Sequence, residues 1–537
     1  MARSGGLCSE IVRTRRATAV IFAGLVFSAC GVANVGVVAT ESHRDAGTST
    51  ADTTVGASAG GVGPGETTAP SETTEPTGTS PGVTVGTGTP APGTVVGVPA
   101  NQDVIDFGSS KTPRAYDGFL IAAFSDIEKF WATEFPITYG GTFTPLAKGV
   151  FAAYKSRKEP IPGCGTAQTT YADVEGNGFY CSQGDFIVYD DDNLLPQLVD
   201  SLGESAVGIV LAHEFGHGIQ ERANELGQPT ILKEQQADCF AGAWAAHVAR
   251  GEASGLKFGD AEIRQGLIAM IQVRDAIDGA GIADPNAHGS GFDRVGAFQD
   301  GFNGGPGRCK TFFTENREKN LIDIQFDPTD VNHGNLPVRD PTGNNVDIVT
   351  LVPKDLNRFW SAEMSTRAVT FTPPTLQLYP QAGPFPKCDG VSEKLFPSNV
   401  LYCKATNQVL VDQDFVEKLD ADPLFGDLSS GYLIGEAYSE AIQIATNSQL
   451  TGKNRILLDD CYTGAWVRDD IPPLPADRDP AESIALSAGD LDEAVVTAIA
   501  RSDDSSAADT RGTAFEKVDS FRSAVIGGIG ACKSRGG

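Results

Sequence analysis

Apolar positions are spread very unevenly along the chain. Behind Arg13, Arg15 and Arg16 stands an apolar run, Ala17 to Phe27, too short for a spanning helix and of the length of an export-signal core. From Gly31 to about Ala100 the residues are mainly Gly, Thr, Ser, Pro, Ala and Val, with few charges and no aromatic. Such a segment buries too little apolar surface to offset its ordering entropy. Patterned sequence starts near Val104. The β-branched and aromatic run Asp185 to Asp190 predicts a strand, either an ordinary sheet strand or an edge open to extended peptide. The stretch Gly208 to Gln220 predicts a helix, and a second runs roughly from Lys233 to Arg250, with Gly227 and Pro229 supplying the break between them.

From Val104 onwards the framework is written twice. Asp126-Ile-Glu-Lys-Phe-Trp131 recurs as Asp355-Leu-Asn-Arg-Phe-Trp360, and Phe143-Thr-Pro145 as Phe371-Thr-Pro373. The helix Gly208 to Gln220 aligns without gaps on Gly431 to Gln443, and Asp238-Cys-Phe-Ala-Gly-Ala-Trp244 aligns on Asp460-Cys-Tyr-Thr-Gly-Ala-Trp466. Gly289-Ser-Gly-Phe-Asp-Arg-Val matches Gly512-Thr-Ala-Phe-Glu-Lys-Val. The offset drifts only from 229 residues between Trp131 and Trp360 to 222 between Trp244 and Trp466, as a tandem duplication requires. Expected domains are therefore 103–320 and 346–537, joined by a connector at 321–345.

Comparing the copies separates framework from chemistry. All four tryptophans and eight of the ten cysteines occur in both, which assigns them to packing and to disulfides. The spacing within each copy favours Cys164–Cys181 and Cys239–Cys309, then Cys388–Cys403 and Cys461–Cys532. For Cys239 the alternatives are a buried thiol or a zinc ligand, but it recurs as Cys461 in the copy that lacks the histidines.

That copy has lost one particular set. Glu436, Ala437 and Glu440 stand where the first copy has His213, Glu214 and His217; Ile456 stands for Glu234 and Arg511 for His288. Residues four apart share a helix face, so His213 and His217 can aim two imidazoles at one point. A catalytic zinc takes such nitrogens and keeps one position open for water. Glu214 is then placed as general base. Glu234, 17 residues past His217, supplies the third ligand across the helical hairpin. Asp238, one turn on, suits a hydrogen bond to the outer nitrogen of a ligand histidine, although its retention as Asp460 fits a structural bond equally. His288 is the candidate donor to the oxyanion, against a plain turn residue. His43, His247 and His333 carry no such signal, and Asp190 to Asp192 reads as a solvated acidic loop rather than a calcium site.

Length and charge add bounds. At 537 residues the chain exceeds one domain, and a net charge of -28 argues against nucleic acid as a partner. The segment 1–30 ends at Ser28-Ala29-Cys30, which resembles a lipobox with Phe27 in place of the usual leucine. Lipidation of Cys30 is the expectation, against ordinary cleavage or an uncleaved anchor, with residues 31–102 as a disordered tether. The protein is thus expected to be exported and either lipid-anchored on the outer side of the membrane or secreted.

His213-Glu-Phe-Gly-His217, Glu234-Gln-Gln-Ala-Asp-Cys-Phe-Ala-Gly-Ala-Trp244 and His288-Gly-Ser together resemble the bacterial putative neutral zinc metallopeptidase family, over about Val104 to Phe313. The Glu234-x-x-x-Asp238 spacing is also similar to that of thermolysin-like gluzincins. These resemblances imply an α+β zincin-like fold, Zn2+ as cofactor, Glu234 as ligand and a peptide or protein as substrate. The chain departs from the family in its glycine-rich stretch from Pro285 to Pro306 and in its degenerate second copy. Three readings follow: a zinc peptidase, a non-catalytic polypeptide-binding protein of the same fold, and a structural envelope lipoprotein.

Overall fold

The computed structural model describes residues 104–537 apart from 166, 278–280, 282–286, 316, 328–333 and 504–509, plus the backbone of one antiparallel strand pair, Phe22–Gly24 and Gly36–Val38. The signal segment's Cys30, the tether apart from Gly36–Val38, His43, His333 and part of the glycine-rich stretch lie outside the described residues.

The fold mixes helices with small sheets. The first sheet has β1 (Ile105–Asp106), β2 (Gly149–Ala153), β3 (Gly178–Cys181) and β4 (Phe186–Asp190) in the order β1-β2-β4-β3. β4 runs parallel to β2 and antiparallel to β3. Period-2 geometry gives the sheet two apolar faces. Val150, Ala152, Ile187 and Tyr189 join the main core, while Phe151, Ala153, Phe186 and Val188 join a small cluster closed by Cys164 and Cys181. β4 is therefore a buried central strand, and the edge beside the helices is β3.

The helices of this half are α1 (Asp117–Thr138), α2 (Leu194–Leu202), α3 (Glu204–Ala223), α4 (Thr230–Ala249), α5 (Asp260–Gln272) and α6 (Gly291–Lys310). α3 and α4 extend beyond the lengths expected from sequence. Asn224, at φ 59°, ends α3 in the left-handed conformation that asparagine tolerates, and Pro229 caps α4. α4 and α6 cross at backbone contact: a Cβ on Gly242 would lie 2.0 Å from the Phe298 carbonyl oxygen.

After residue 345 the same elements recur. They are α7 (Ile348–Thr366), β5 (Thr375–Tyr379), β6 (Val400–Cys403), β7 (Gln408–Asp412), α8 (Gln413–Asp420), α9 (Asp427–Ala445), α10 (Gly452–Asp469), α11 (Asp490–Ala500) and α12 (Ala514–Gly527). The second sheet, ordered β6-β7-β5, repeats the pairing pattern of the first without its outermost strand. Local bonds recur as well. Trp244 Nε1 donates to Asp126 at 3.0 Å and Trp466 Nε1 to Asp355 at 2.7 Å.

All four cysteine pairs are disulfides: Cys164–Cys181, Cys239–Cys309, Cys388–Cys403 and Cys461–Cys532. The halves share one continuous apolar core. Between them Phe302 packs on Phe515 with centroids 4.7 Å apart, and Asp492 accepts from the Phe292 amide at 2.7 Å. Among the described residues no helix is long and apolar enough to cross a membrane.

One expectation is corrected. The Asp190–Asp192 cluster is not a solvated loop: Asp190 and Asp191 are buried. Asp190 accepts from the amides of Gly176, Asp192 and Asn193, and Asp191 pairs with Lys111 and Tyr116. These carboxylates are spent on holding the end of β4.

Candidate metal centre

α3 is buried on every side from Ser205 to Gln220, so each polar group it carries needs a partner inside the protein. His213 and His217, one turn apart, set their rings perpendicular with centroids 4.9 Å apart. Glu234, in the second turn of α4, faces both. Its Oε2 is 3.2 Å from His213 Nε2 and its Oε1 is 3.5 Å from His217 Nε2. One ligand atom from each of the three lies within 4.8 Å of the others, and all three residues are buried.

The outer nitrogens are fixed. His213 Nδ1 is 2.7 Å from Asp238 Oδ1, and His217 Nδ1 is 2.9 Å from Gln220 Oε1. Both partners accept, which fixes a proton on each Nδ1 and leaves the Nε2 atoms facing Glu234. Gln220 is held in that orientation because its amide nitrogen donates to the Lys233 carbonyl at 2.7 Å. Asp238 is in turn gripped by the buried guanidinium of Arg294 at 2.8 and 2.9 Å. Burial alone would discharge His213, but the carboxylates of Asp238 and Glu234 outweigh it and push its pKa up to about 10. For Glu234, burial opposes ionisation while the two rings hold the carboxyl well below its usual range. The pocket is thus built for positive charge.

Glu214 lies beside this centre. Its Oε2 accepts from the Tyr180 amide on β3 at 3.0 Å, and its Oε1 is buried with no hydrogen-bond partner. Burial raises its proton affinity, against the lowering effect of the two histidines. His288 is 8% exposed, with Nδ1 3.0 Å from Asp275 and its amide donating to the same carboxylate at 2.8 Å. Burial lowers its proton affinity, but Asp275 and Glu234 raise it by more. His213, Glu214, His217, Glu234 and Asp238 therefore converge, with His288 within electrostatic reach of Glu234. His247 stands apart, 3.2 Å from Asp126.

Two imidazole nitrogens, one carboxylate and an adjacent acceptor left without a partner make a donor set that fits zinc. Residues 93–312 match the family of putative neutral zinc metallopeptidases. Relatives of this stretch include the uncharacterized protein YpfJ of Escherichia coli, 31% identical over 172 residues, which is 28% of this chain and 57% of YpfJ. The uncharacterized protein Rv2575 of Mycobacterium tuberculosis is 31% identical over 175 residues, 28% of this chain and 58% of its own length. The chain thus spans little more than half the length of these relatives. No solved structure matches it.

The neutral zinc metallopeptidase match takes in every one of these site residues and stops before α7. In the C-terminal half the aligned positions are filled differently. Lys517 Nζ lies 3.0 Å from Glu436 and 2.7 Å from Asp460, and Arg501 donates to Glu436 at 2.9 Å. Sequence reasoning missed Arg294, Gln220, Asp275 and the Tyr180 amide. Two of them left a signal. A cation occurs in both copies at Arg294 and Lys517, and a glutamine at Gln220 and Gln443.

Proposed function

We propose that the N-terminal half is a zinc-dependent peptidase of the cell envelope or exterior. The observation that carries this reading is the convergence of His213, His217 and Glu234 beside the unpartnered Oε1 of Glu214. Zinc, when bound, supplies Lewis acidity and lowers the pKa of coordinated water. Glu214 Oε1 takes the proton from the attacking water; the Tyr180 amide holds the other carboxylate oxygen and keeps this one aimed. Asp238 and Gln220 fix the tautomers of His213 and His217. His288, whose Nδ1 is committed to Asp275, uses Nε2 to donate to the oxygen that gains charge.

The C-terminal half is read as a tandem duplicate that has exchanged metal ligands for a buried ion-pair network and serves as scaffold. Residues 1–30 export the chain, Cys30 is its lipid anchor and 31–102 its tether.

The test is metal analysis of the full chain beside a cleavage assay on an unfolded, casein-type substrate. We expect about one zinc per chain. Glu214→Gln should keep that zinc and lose cleavage by about 100-fold or more. A variant that retains the wild-type rate would refute this assignment of the base.

A further inference from the structure

A second convergence of ligand-type side chains lies in the C-terminal half, where the N-termini of α9 and α11 meet. One carboxylate oxygen from each of Asp427, Asp490 and Glu493 falls within 4.8 Å of the others. Two oxygens bound to one calcium ion at about 2.4 Å lie up to about 4.8 Å apart.

The protein makes room for this cluster without setting a basic side chain against it. Gly426, at φ 83°, lies against Glu493, whose Oε1 would be 2.2 Å from a Cβ placed there. Asp427 Oδ2 accepts from the Leu336 amide at 2.7 Å, Asp490 accepts from the Ser487 amide at 2.8 Å, and Glu493 accepts from the Leu428 amide at 3.0 Å. Among the described residues no lysine, arginine or histidine pairs with any of the three. Asp427 is 8% exposed, and its Oδ1 is buried with no hydrogen-bond partner. Three carboxylates brought together with little access to water repel strongly unless a proton or a cation joins them. An orphaned carboxylate oxygen inside such a cluster points to a missing cation.

The N-terminal half supplies the contrast. There Gly203, at φ 95°, packs against the neutral Gln265, whose Oε1 takes the place of the Glu493 carboxylate. Gln265 accepts from Ser205 Oγ, so that corner is satisfied without added charge.

We propose that Asp427, Asp490 and Glu493 bind a hard divalent cation of the calcium class, distinct from the histidine centre. All-oxygen ligation selects such an ion over zinc. It would tie α9 to α11, whose Asp492 also holds the N-terminus of α6 through the Phe292 amide.

The experiment titrates calcium chloride into full-length protein dialysed against metal-depleted buffer, reading heat of binding and thermal midpoint, with bound calcium and zinc counted after gel filtration. The expected result is one calcium per chain, a midpoint that rises with calcium, and unchanged zinc. Glu493→Gln installs the side chain found at Gln265 and is expected to fold. It should lose stoichiometric calcium and the calcium-dependent rise, as should Asp427→Asn. Each variant alters net charge by one, so diffuse binding to an acidic surface would persist in both. A wild-type chain that binds no stoichiometric calcium, or a folded Glu493→Gln that binds it as tightly, overturns the proposal.

Discussion

Lys517 sets its ammonium 3.0 Å from Glu436, the residue aligned with His213, and 2.7 Å from Asp460, the residue aligned with Asp238. A fixed cation thus occupies the C-terminal half in the region where the N-terminal half gathers two imidazoles and a carboxylate. Burial opposes charge on Lys517, but the two carboxylates more than compensate and raise its pKa. Lys517→Met would strand Asp460 without a counter-charge and leave Glu436 with Arg501 alone. Removing one partner of a buried pair costs about 3–5 kcal/mol. Denaturant titration should register a loss of that size, with zinc content unchanged; a loss under about 1 kcal/mol would show the network to be dispensable.

Asp238 links His213 to Arg294, and its charge favours the cationic centre. Asp238→Asn retains an acceptor for His213 Nδ1 but removes the negative charge. Substitutions at such outer contacts weaken metal binding by about 10–100-fold. Competition against a chromogenic chelator measures this directly. Unchanged affinity would confine Asp238 to a structural tie with Arg294, the role that Asp460 plays with Lys517.

The sequence disclosed what depends on short spacing or on repetition. His213 and His217 share a helix face at i, i+4, Glu234 and Asp238 lie in the next helix, and each cysteine pair recurs at nearly the same separation. It did not disclose the Arg294 clamp on Asp238, 56 residues away, because no helical or strand period links α4 to α6. The Tyr180 amide that holds Glu214 was equally hidden: a backbone donor has no residue signature, and its position follows from β3 lying at the sheet edge. The acidic cluster at Asp190 misled for a related reason. Burial and partners, not composition, decide whether a carboxylate is solvated.

Gly242 lets α4 reach α6, the helix that carries Arg294. A methyl group there would sit 2.0 Å from the Phe298 carbonyl oxygen, a backbone atom that can yield only if α6 moves. In the other half Gly464 stands 2.2 Å, by the same measure, from the Phe521 carbonyl oxygen. Overpacking of this kind costs about 1–3 kcal/mol. Both Gly242→Ala and Gly464→Ala should therefore lower the thermal midpoint. Only Gly242→Ala should also weaken zinc binding, because it displaces Arg294 from Asp238. Equal zinc affinity in the two variants would show that the clamp tolerates movement of α6.

Asp293, at the start of α6, carries a pH dependence of predictable sign. Burial raises its pKa from 3.8 to about 6, against the lowering influence of Arg522 and Arg317. An acid that binds its proton more tightly when folded imposes no penalty below the unfolded value. The penalty grows as pH rises from about 4 to about 6 and is constant above that. Its carboxylate accepts from the Ile322 amide at 3.2 Å and from Ser290 Oγ at 3.1 Å, bonds that an asparagine oxygen can keep. Asp293→Asn should accordingly stabilise the protein at pH 7 by up to about 2–3 kcal/mol and have little effect at pH 4. Melting curves of both proteins across this range make the comparison. A variant less stable than wild type at pH 7 would mean that the ionised carboxylate is held favourably by Arg522 and Arg317, reversing the sign.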